Sequence, residues 1–213
     1  MKKIMFNDKY GLTDAVLQGR KTMTRRICKE FSTGRIIYAN EVESVEVFSD
    51  DNVVEFVLKD GGAMVSGLPY KIGEVVAVAQ AYKDLAENDY FSSQCAANEE
   101  SVSGLKNEKG WSNKMFVLAD LMLNKIRITD IKVERLQDIS YEDCLREGIY
   151  KDITAPECYQ PFYTFVNSRT KFNTPIGFDK AQSAFAALID KVSGKGTWEQ
   201  NPYVFAYTFE LVK

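Results

Sequence analysis

The chain has 213 residues, of which 45% are hydrophobic and 27% are charged, and its formal net charge at pH 7 is −3. A chain of this length and composition is expected to fold around a sizeable core. Its acidic balance excludes nucleic-acid binding by the whole surface but is compatible with a local basic groove, because binding responds to local potential.

The residue types exclude several classes of chemistry. The chain contains no histidine, which rules out Ser–His and Cys–His nucleophiles and histidine-ligated metals. Its cysteines, Cys28, Cys95, Cys144 and Cys158, show no C-x-x-C spacing, so neither a zinc site nor a redox pair is predicted. No run of residues has the apolar length of a membrane span. We expect a cytoplasmic protein with no metal, no cofactor and no membrane partner; its oligomeric state stays open.

The first predicted element is a short helix over residues 10–18, with apolar residues at helical spacing and Gly19 as its stop. The helix leads directly into residues 19–26, Gly-Arg-Lys-Thr-Met-Thr-Arg-Arg, which we call the basic octet. Four cations within eight residues of an acidic chain mark a candidate site, and a solvated basic turn is the competing interpretation.

Strand patterns dominate the middle of the chain. Residues 36–48 and 52–58, each followed by turn-forming residues, predict a β-meander. Residues 74–82 contain a nearly continuous apolar run that is typical of a central strand covered on both faces. Residues 125–136 predict another strand, in which the apolar positions change parity, so we expect a β-bulge near Thr129-Asp130.

A short helix is predicted after that strand. Ser140 is placed to cap its start and Gly148 to end it. On this helix Asp143 and Glu147 would share one face, because they are four residues apart.

The remaining pattern completes the predicted fold. Residues 178–192 predict an amphipathic helix with Val192 on its inner stripe, and residues 203–212 predict a final strand. Two stretches, residues 83–113 and 150–177, are read as irregular insertions. We therefore predict one α+β domain over residues 1–213, built as a small, mostly antiparallel β-barrel decorated by about three helices, since closure hides the sheet edges.

Three segments, in this order, resemble phage- and prophage-type ASCH proteins of the PUA-like superfamily of small β-barrels. They are the basic octet, residues 128–140 running on to Glu147-Gly148-Ile149, and residues 198–204, Trp-Glu-Gln-Asn-Pro-Tyr-Val. The chain departs from that pattern at Ala79-Gln80, where an arginine followed by an acidic residue is usual, and at residues 119–124.

The resemblance implies two kinds of function. ASCH domains are widely proposed to bind RNA, and some small relatives are amidohydrolases that deacylate N4-acetylcytidine-type nucleosides with a lysine, a threonine and a glutamate. Carried over by motif, these roles fall on Lys21, Thr24 and Glu147. Burial or neighbouring arginines would lower the pKa of the lysine, so that it could activate Thr24 or a water while Glu147 shuttles a proton. A structural salt bridge is the competing interpretation of Glu147.

We accordingly predict that the basic octet forms a cleft that binds RNA or a nucleotide-like ligand. Amide hydrolysis by Lys21, Thr24 and Glu147 is the alternative, and a phage-derived protein-interaction module that uses aromatic residues 159–165 is a second alternative. Tyr82 and Trp198 are candidates for base stacking, with a place in the core as the competing interpretation. The candidates for phosphate contact are Arg20, Lys21, Thr22, Arg25, Arg26 and Lys125.

Overall fold

The computed structural model describes residues 1–48, 52–98, 100–152, 162–167 and 176–212. The strands in these ranges are β1 (Lys3–Ile4), β2 (Met23–Ile27), β3 (Val42–Phe48), β4 (Val53–Leu58), β5 (Ala63–Gly67), β6 (Val75–Val78), β7 (Lys125–Arg135), β8 (Tyr150–Asp152), β9 (Phe162–Thr164) and β10 (Tyr203–Val212). The helices are α1 (Leu12–Leu17), α2 (Tyr82–Leu85), α3 (Asp89–Ala97), α4 (Val102–Leu105), α5 (Tyr141–Arg146), α6 (Ala181–Ser193) and α7 (Thr197–Gln200). Short 3₁₀ turns cover Asp8–Tyr10, Lys109–Trp111, Lys114–Phe116, Ala119–Leu121 and Leu136–Asp138.

The main sheet has five strands in the order β1-β6-β7-β10-β2. Among the described strands of this sheet, β1 and β6 pair in parallel and the other neighbours are antiparallel. On β10, Thr208 pairs with Asp130 and Phe209 with Ile128, which leaves Thr129 as the extra residue on β7. The bulge predicted from the parity change is therefore confirmed.

The predicted meander is confirmed as the antiparallel sheet β3-β4-β5. Its inner face joins the main core, since Phe56 is fully buried and its ring centroid lies 5.1 Å from that of Tyr203. The first strand is shorter than predicted, because Ile36 and Tyr38 form only isolated bridges. The predicted turn at residues 49–51 lies outside the described residues.

The α+β class and the mostly antiparallel sheet are confirmed, whereas the closed barrel is not. Within the described ranges, β1 and β2 are the two edges of the main sheet, and no strand pairing joins them. The three predicted helices correspond to α1, α5 and α6. The other described helices are α2, α3 and α4 near the first insertion and α7 before β10.

The first insertion builds a second core. Tyr82, Phe91, Leu105 and Leu121 are buried together against one face of the sheet at Ala77. The sequence of this stretch predicts irregular structure because its helices are short and its outer face is polar. Its apolar residues nevertheless bury one another.

The second insertion is described at residues 150–152, 162–167 and 176–177. Strands β8 and β9 pair within it. Phe165 is buried, stacks on Phe178 with ring centroids 6.4 Å apart, and meets Tyr10 edge-on. Phe165 is therefore a core residue and is unavailable to a protein partner, while Tyr159 of the same predicted patch lies outside the described residues.

Candidate active site

The basic octet leaves α1 in a fixed direction. Gly19 has a φ of 72°, and the backbone N–H groups of Arg20 and Lys21 both donate to the carbonyl of Ala15, at 2.8 and 2.9 Å. The next N–H group, that of Thr22, donates to the carbonyl of Arg146 at 3.0 Å. The octet thus passes from the end of α1 to the end of α5 before it enters the edge strand β2.

At this junction the Lys21 side chain is buried against Glu147. Lys21 is 2% exposed and Glu147 is 4% exposed. Lys21 Nζ donates to Glu147 Oε2 at 2.6 Å and to the Glu147 backbone carbonyl at 2.8 Å. Residues 126 positions apart in the chain therefore form one buried ion pair.

Helix α5 explains where Glu147 stands. Ser140 Oγ accepts a hydrogen bond from the Asp143 N–H at 3.1 Å, as the predicted N-cap requires, and Glu147 is the C-cap residue. Gly148 follows with a φ of 104°, and a Cβ there would stand 3.2 Å from Leu12 Cδ2 and 3.8 Å from Lys21 Cδ. Glycine thus ends the helix and leaves room for the Lys21 side chain.

Burial lowers the pKa of the Lys21 ammonium below its ordinary value. Glu147 opposes this shift by its charge and its hydrogen bond, whereas the charges of Arg26 and Arg25 add to it. Lys21 is consequently easier to deprotonate than a lysine at the surface, as a general base must be.

Thr24 lies on the same cavity as Lys21 and Glu147. The cavity has a volume of about 340 Å³, within the range of small-molecule pockets. In the described part of the chain, no hydrogen bond occupies the Thr24 hydroxyl. Lys21 precedes β2 in irregular backbone, so the alternation of a regular strand does not separate the two side chains. The residues around the cavity are Met5, Phe6, Asn7, Leu12, Lys21, Thr24, Arg25, Arg26, Ile27, Lys29, Glu147, Phe185, Leu188, Ile189, Val192 and Ser193.

One wall of this cavity is apolar and comes from α6. Phe185, Leu188 and Ile189 are buried there, as the amphipathic pattern predicts. Val192, predicted on the same inner stripe, is 39% exposed. Its exposure has a local cause, because at this last turn of α6 the stripe faces the cavity rather than another element.

Arg25 is buried among carboxylates, which corrects its predicted role in phosphate binding. Its Nε and Nη2 donate to Glu134 Oε1 at 3.0 and 2.5 Å, and Nη2 also donates to Asp143 Oδ2 at 3.0 Å. Its Nη1 donates to Glu147 Oε1 at 3.1 Å and meets Met23 Sδ at 3.2 Å. These contacts use all five N–H groups of the guanidinium, so no donor is left for a phosphate.

The other predicted phosphate contacts are distributed unevenly. Arg26 lines the cavity, donates to the carbonyl of Met5 at 2.6 Å and lies over the Phe6 ring. Arg20 is exposed and bonded to Gln18, while Thr22 accepts a hydrogen bond from Arg146 Nε at 3.3 Å; neither lines the cavity.

Lys125 is also removed from the cavity. It pairs with Val212, the last residue of β10, whereas Arg25 pairs with Ala206 in the first half of that strand. The basic octet and Lys125 therefore do not form one continuous groove.

The two predicted stacking residues are packed against other aromatic rings. Tyr82 is 2% exposed in the second core, with its ring centroid 6.0 Å from that of Phe91. Trp198 meets Phe185 edge-on at 6.1 Å and does not line the cavity. The competing interpretation, a place in the core, describes both residues.

The departures from the ASCH pattern lie away from the cavity. Asn124 Nδ2 donates to Gln80 Oε1 at 2.8 Å, so the two altered segments bond to each other. Leu121 is buried in the second core. Neither Gln80 nor Leu121 lines the cavity.

Two buried thiols are unsuited to act as nucleophiles. Burial raises the pKa of Cys144 to about 12 and also raises the pKa of Cys28. Both therefore stay protonated at neutral pH.

Sequence reasoning missed Glu134, Asp143 and the α6 wall as parts of the site. Glu134 pairs with Val204, and Arg25 pairs with Ala206. Both charged side chains therefore lie on the same face of the sheet. The signal available in the sequence was the face shared by Asp143 and Glu147, and both carboxylates do contact Arg25.

Comparisons with known proteins leave the ASCH assignment a prediction. No protein-family model, curated protein or solved structure matches the chain. The helices within the described ranges lack the length and hydrophobicity needed to cross a membrane. In the same ranges, no cluster of three or more Cys, Asp or Glu side chains has an arrangement that would hold a metal ion.

Proposed function

We propose that the chain is an ASCH-type amidohydrolase that cleaves the exocyclic amide of an N4-acylated cytidine-type nucleoside. The observation that carries the proposal is the buried Lys21–Glu147 pair on a cavity that also holds the Thr24 hydroxyl. The resemblance implies that Lys21, Thr24 and Glu147 correspond to the lysine, threonine and glutamate with which such amidohydrolases act. An enclosed lysine with a lowered pKa favours chemistry over simple charge attraction.

The sheet geometry supports a PUA-like arrangement. Met5 and Phe6 follow β1, and Arg26 belongs to β2, yet they line one cavity and contact each other. The two edges of the main sheet therefore approach each other at the cavity. In our proposal the fold is an incompletely closed barrel whose gap holds the substrate.

The proposed reaction begins once the Lys21 ammonium of the ion pair has released its proton to solvent, which its lowered pKa favours. Its amine takes a proton from the Thr24 hydroxyl or from a water, and the resulting oxygen nucleophile attacks the acyl carbonyl carbon. The C–N bond then breaks, and the proton that Lys21 took passes through Glu147 to the leaving amine. If Thr24 is the nucleophile, water then hydrolyses its acyl ester. Either route consumes one water and yields a carboxylic acid and the free amine.

A turnover assay tests the proposal. Purified protein incubated with N4-acetylcytidine is expected to release cytidine, measured by chromatography. The Lys21→Ala variant should be slower by at least about 100-fold, the usual contribution of general acid–base catalysis. Circular dichroism checks that the variant folds, and Lys195→Ala, an exposed lysine outside the cavity, is the matched control. Wild-type turnover no faster than that of Lys21→Ala would reject this substrate.

Binding of a phosphate-bearing nucleotide or RNA is the second candidate function. It is favoured by Arg26 and Lys29, which line the cavity without an ion-pair partner among the described residues. Lys29 is exposed, so a phosphate could reach it from solvent while the base lies deeper.

Calorimetry with cytidine and cytidine 5′-monophosphate tests this second function. The monophosphate should bind more tightly, and its advantage should shrink with added salt and in the Arg26→Gln/Lys29→Gln double variant. A short single-stranded RNA distinguishes polymer binding from nucleotide binding. Equal affinities for cytidine and its monophosphate, together with salt-independent RNA binding, would contradict this function.

A further inference from the structure

We propose that Arg25 is a positioning residue for the proposed hydrolysis: it binds one oxygen of the Glu147 carboxylate and so keeps the other oxygen facing Lys21. The inference rests on the proposed function and deepens it. Glu147 Oε2 accepts a hydrogen bond from Lys21 Nζ at 2.6 Å, and Oε1 accepts one from Arg25 Nη1 at 3.1 Å. Both carboxylate oxygens are therefore oriented by cations from the basic octet.

The surroundings of Arg25 give it this role rather than contact with a substrate. Its side chain is fully buried, and its remaining N–H groups are held by Glu134, Asp143 and Met23. A guanidinium held from several sides has one orientation, so its Nη1 hydrogen bond holds Glu147 Oε1 in one place while Lys21 holds Oε2. Arg25 thus acts on the reaction through Glu147.

A second consequence concerns charge. The groups that face Lys21 are Glu147 at the end of α5, Arg25 and Arg26 from β2, and the Phe6 ring. Glu134 from β7 and Asp143 from α5 are ion-paired with Arg25 and so are linked to Lys21 only indirectly. Arg146 pairs with Asp143 at 3.4 Å. The α6 residues at the cavity carry no charge.

Burial is the main cause of the lowered pKa of Lys21, and the charges of Arg26 and Arg25 add to it by like-charge repulsion. If Arg25 becomes neutral, the pKa of Lys21 rises, and the base is protonated over a wider range of pH. If Glu134 becomes neutral, the positive charge of Arg25 is less compensated, and the pKa of Lys21 falls. The two substitutions thus have opposite signs, which a purely structural role does not produce.

The test is the pH dependence of kcat/KM for N4-acetylcytidine in wild-type protein, Arg25→Gln, Arg25→Lys and Glu134→Gln. We expect the acid limb to move to higher pH in Arg25→Gln, because loss of a neighbouring positive charge makes the Lys21 ammonium harder to deprotonate. The conservative Arg25→Lys should restore the position of the limb but not the full rate, since lysine cannot hold carboxylates with a fork. Glu134→Gln should move the limb to lower pH.

The outcomes separate this inference from the proposed function. Arg127→Gln, which removes an exposed cation paired with Glu210 on the same sheet, is the control and should leave the limb in place. If Arg25→Gln does not fold, Glu134→Gln decides, because that carboxylate is partly exposed. If the wild-type protein turns over the substrate but the acid limb stays in place in Arg25→Gln and Glu134→Gln, the positioning role is overturned and the proposed function is not. Absence of wild-type turnover overturns the proposed function and this inference with it.

Discussion

At the scale of single residues, the site depends on side chains that are unusual in a protein interior. Lys21, Arg25 and Glu147 are all nearly inaccessible to solvent. Burying a charge is costly unless ion pairs and hydrogen bonds compensate for it. Here each of these charges is compensated by the others and by Glu134 and Asp143. The arrangement is therefore a connected network, and loss of one member leaves its buried partners with fewer compensating contacts.

Gly148 tests how closely the network is fitted. Replacing it with alanine places a Cβ 3.2 Å from Leu12 and 3.8 Å from the Lys21 side chain, at a φ of 104°. We expect Gly148→Ala to lower the free energy of unfolding by about 1–3 kcal/mol and to reduce turnover, because Lys21 and Glu147 must shift. Urea unfolding and the cytidine-release assay measure the two effects.

The matched control for this substitution is Gly34→Ala. Gly34 also has a positive φ, 71°, but a Cβ there would meet no atom of the described residues within 4 Å. Gly34→Ala should lower the free energy of unfolding by only about 1 kcal/mol, from backbone strain alone, and should leave turnover unchanged. Equal loss of turnover in both variants would show that Gly148 does not shape the site.

The difference between Lys21 and Arg25 shows what residue-level prediction can achieve. Lys21, Thr24 and Glu147 could be selected because they occupy positions of a known motif. The function of Arg25 could not be read locally, since its carboxylate partners lie 109, 118 and 122 positions away in the chain. A cation in a basic segment looks available to a phosphate until the fold supplies its carboxylates.

At the scale of elements, α5 determines the geometry of the pair. It has only six residues, too few for an isolated helix to be stable. It is fixed by the Ser140 cap at its start and by the hydrogen bond from Thr22 N–H to the Arg146 carbonyl at its end. The position of Glu147 therefore depends on both ends of one short helix.

Ser140→Ala tests this dependence. Loss of an N-cap costs about 1 kcal/mol, and we expect the loosened helix also to displace Asp143 and Glu147 and so to lower kcat/KM. Ser101→Ala is the control, because Ser101 Oγ caps α4 by accepting from the Gly104 N–H, and α4 contributes Leu105 to the second core, away from the cavity. The two variants should lose similar stability in urea unfolding. Equal kcat/KM in both would contradict a role for α5 in placing Glu147.

Element predictions succeeded where the pattern was local. The alternation in β10, the parity change in β7 and the capping residues of α5 each predict what is observed. The strand predicted from Ile36 to Tyr38 is wrong, because these two residues form isolated bridges rather than a continuous ladder. The sequence could not decide whether Tyr82 and Phe165 lie in the core or contact a ligand or partner, since burial of an aromatic ring depends on residues distant in the chain.

At the scale of the whole molecule, the cavity lies where the two edges of the main sheet approach each other. Edge strands leave backbone groups unpaired and are usually covered. Here the Arg26 guanidinium, bonded to the Met5 carbonyl, bridges the two edges, while α6 covers the gap with apolar side chains. The sequence pattern favoured a closed barrel because it shows strand periodicity but not the pairing of the first and last edges.

The most direct measurement is a double-mutant cycle on turnover of N4-acetylcytidine with Lys21→Ala, Glu147→Gln and the double variant. If the two residues act as one unit, the double variant should be no slower than the slower single variant. Losses that multiply would mean that the two side chains act independently. Either that result or wild-type turnover no faster than that of Lys21→Ala would contradict catalysis by the buried pair.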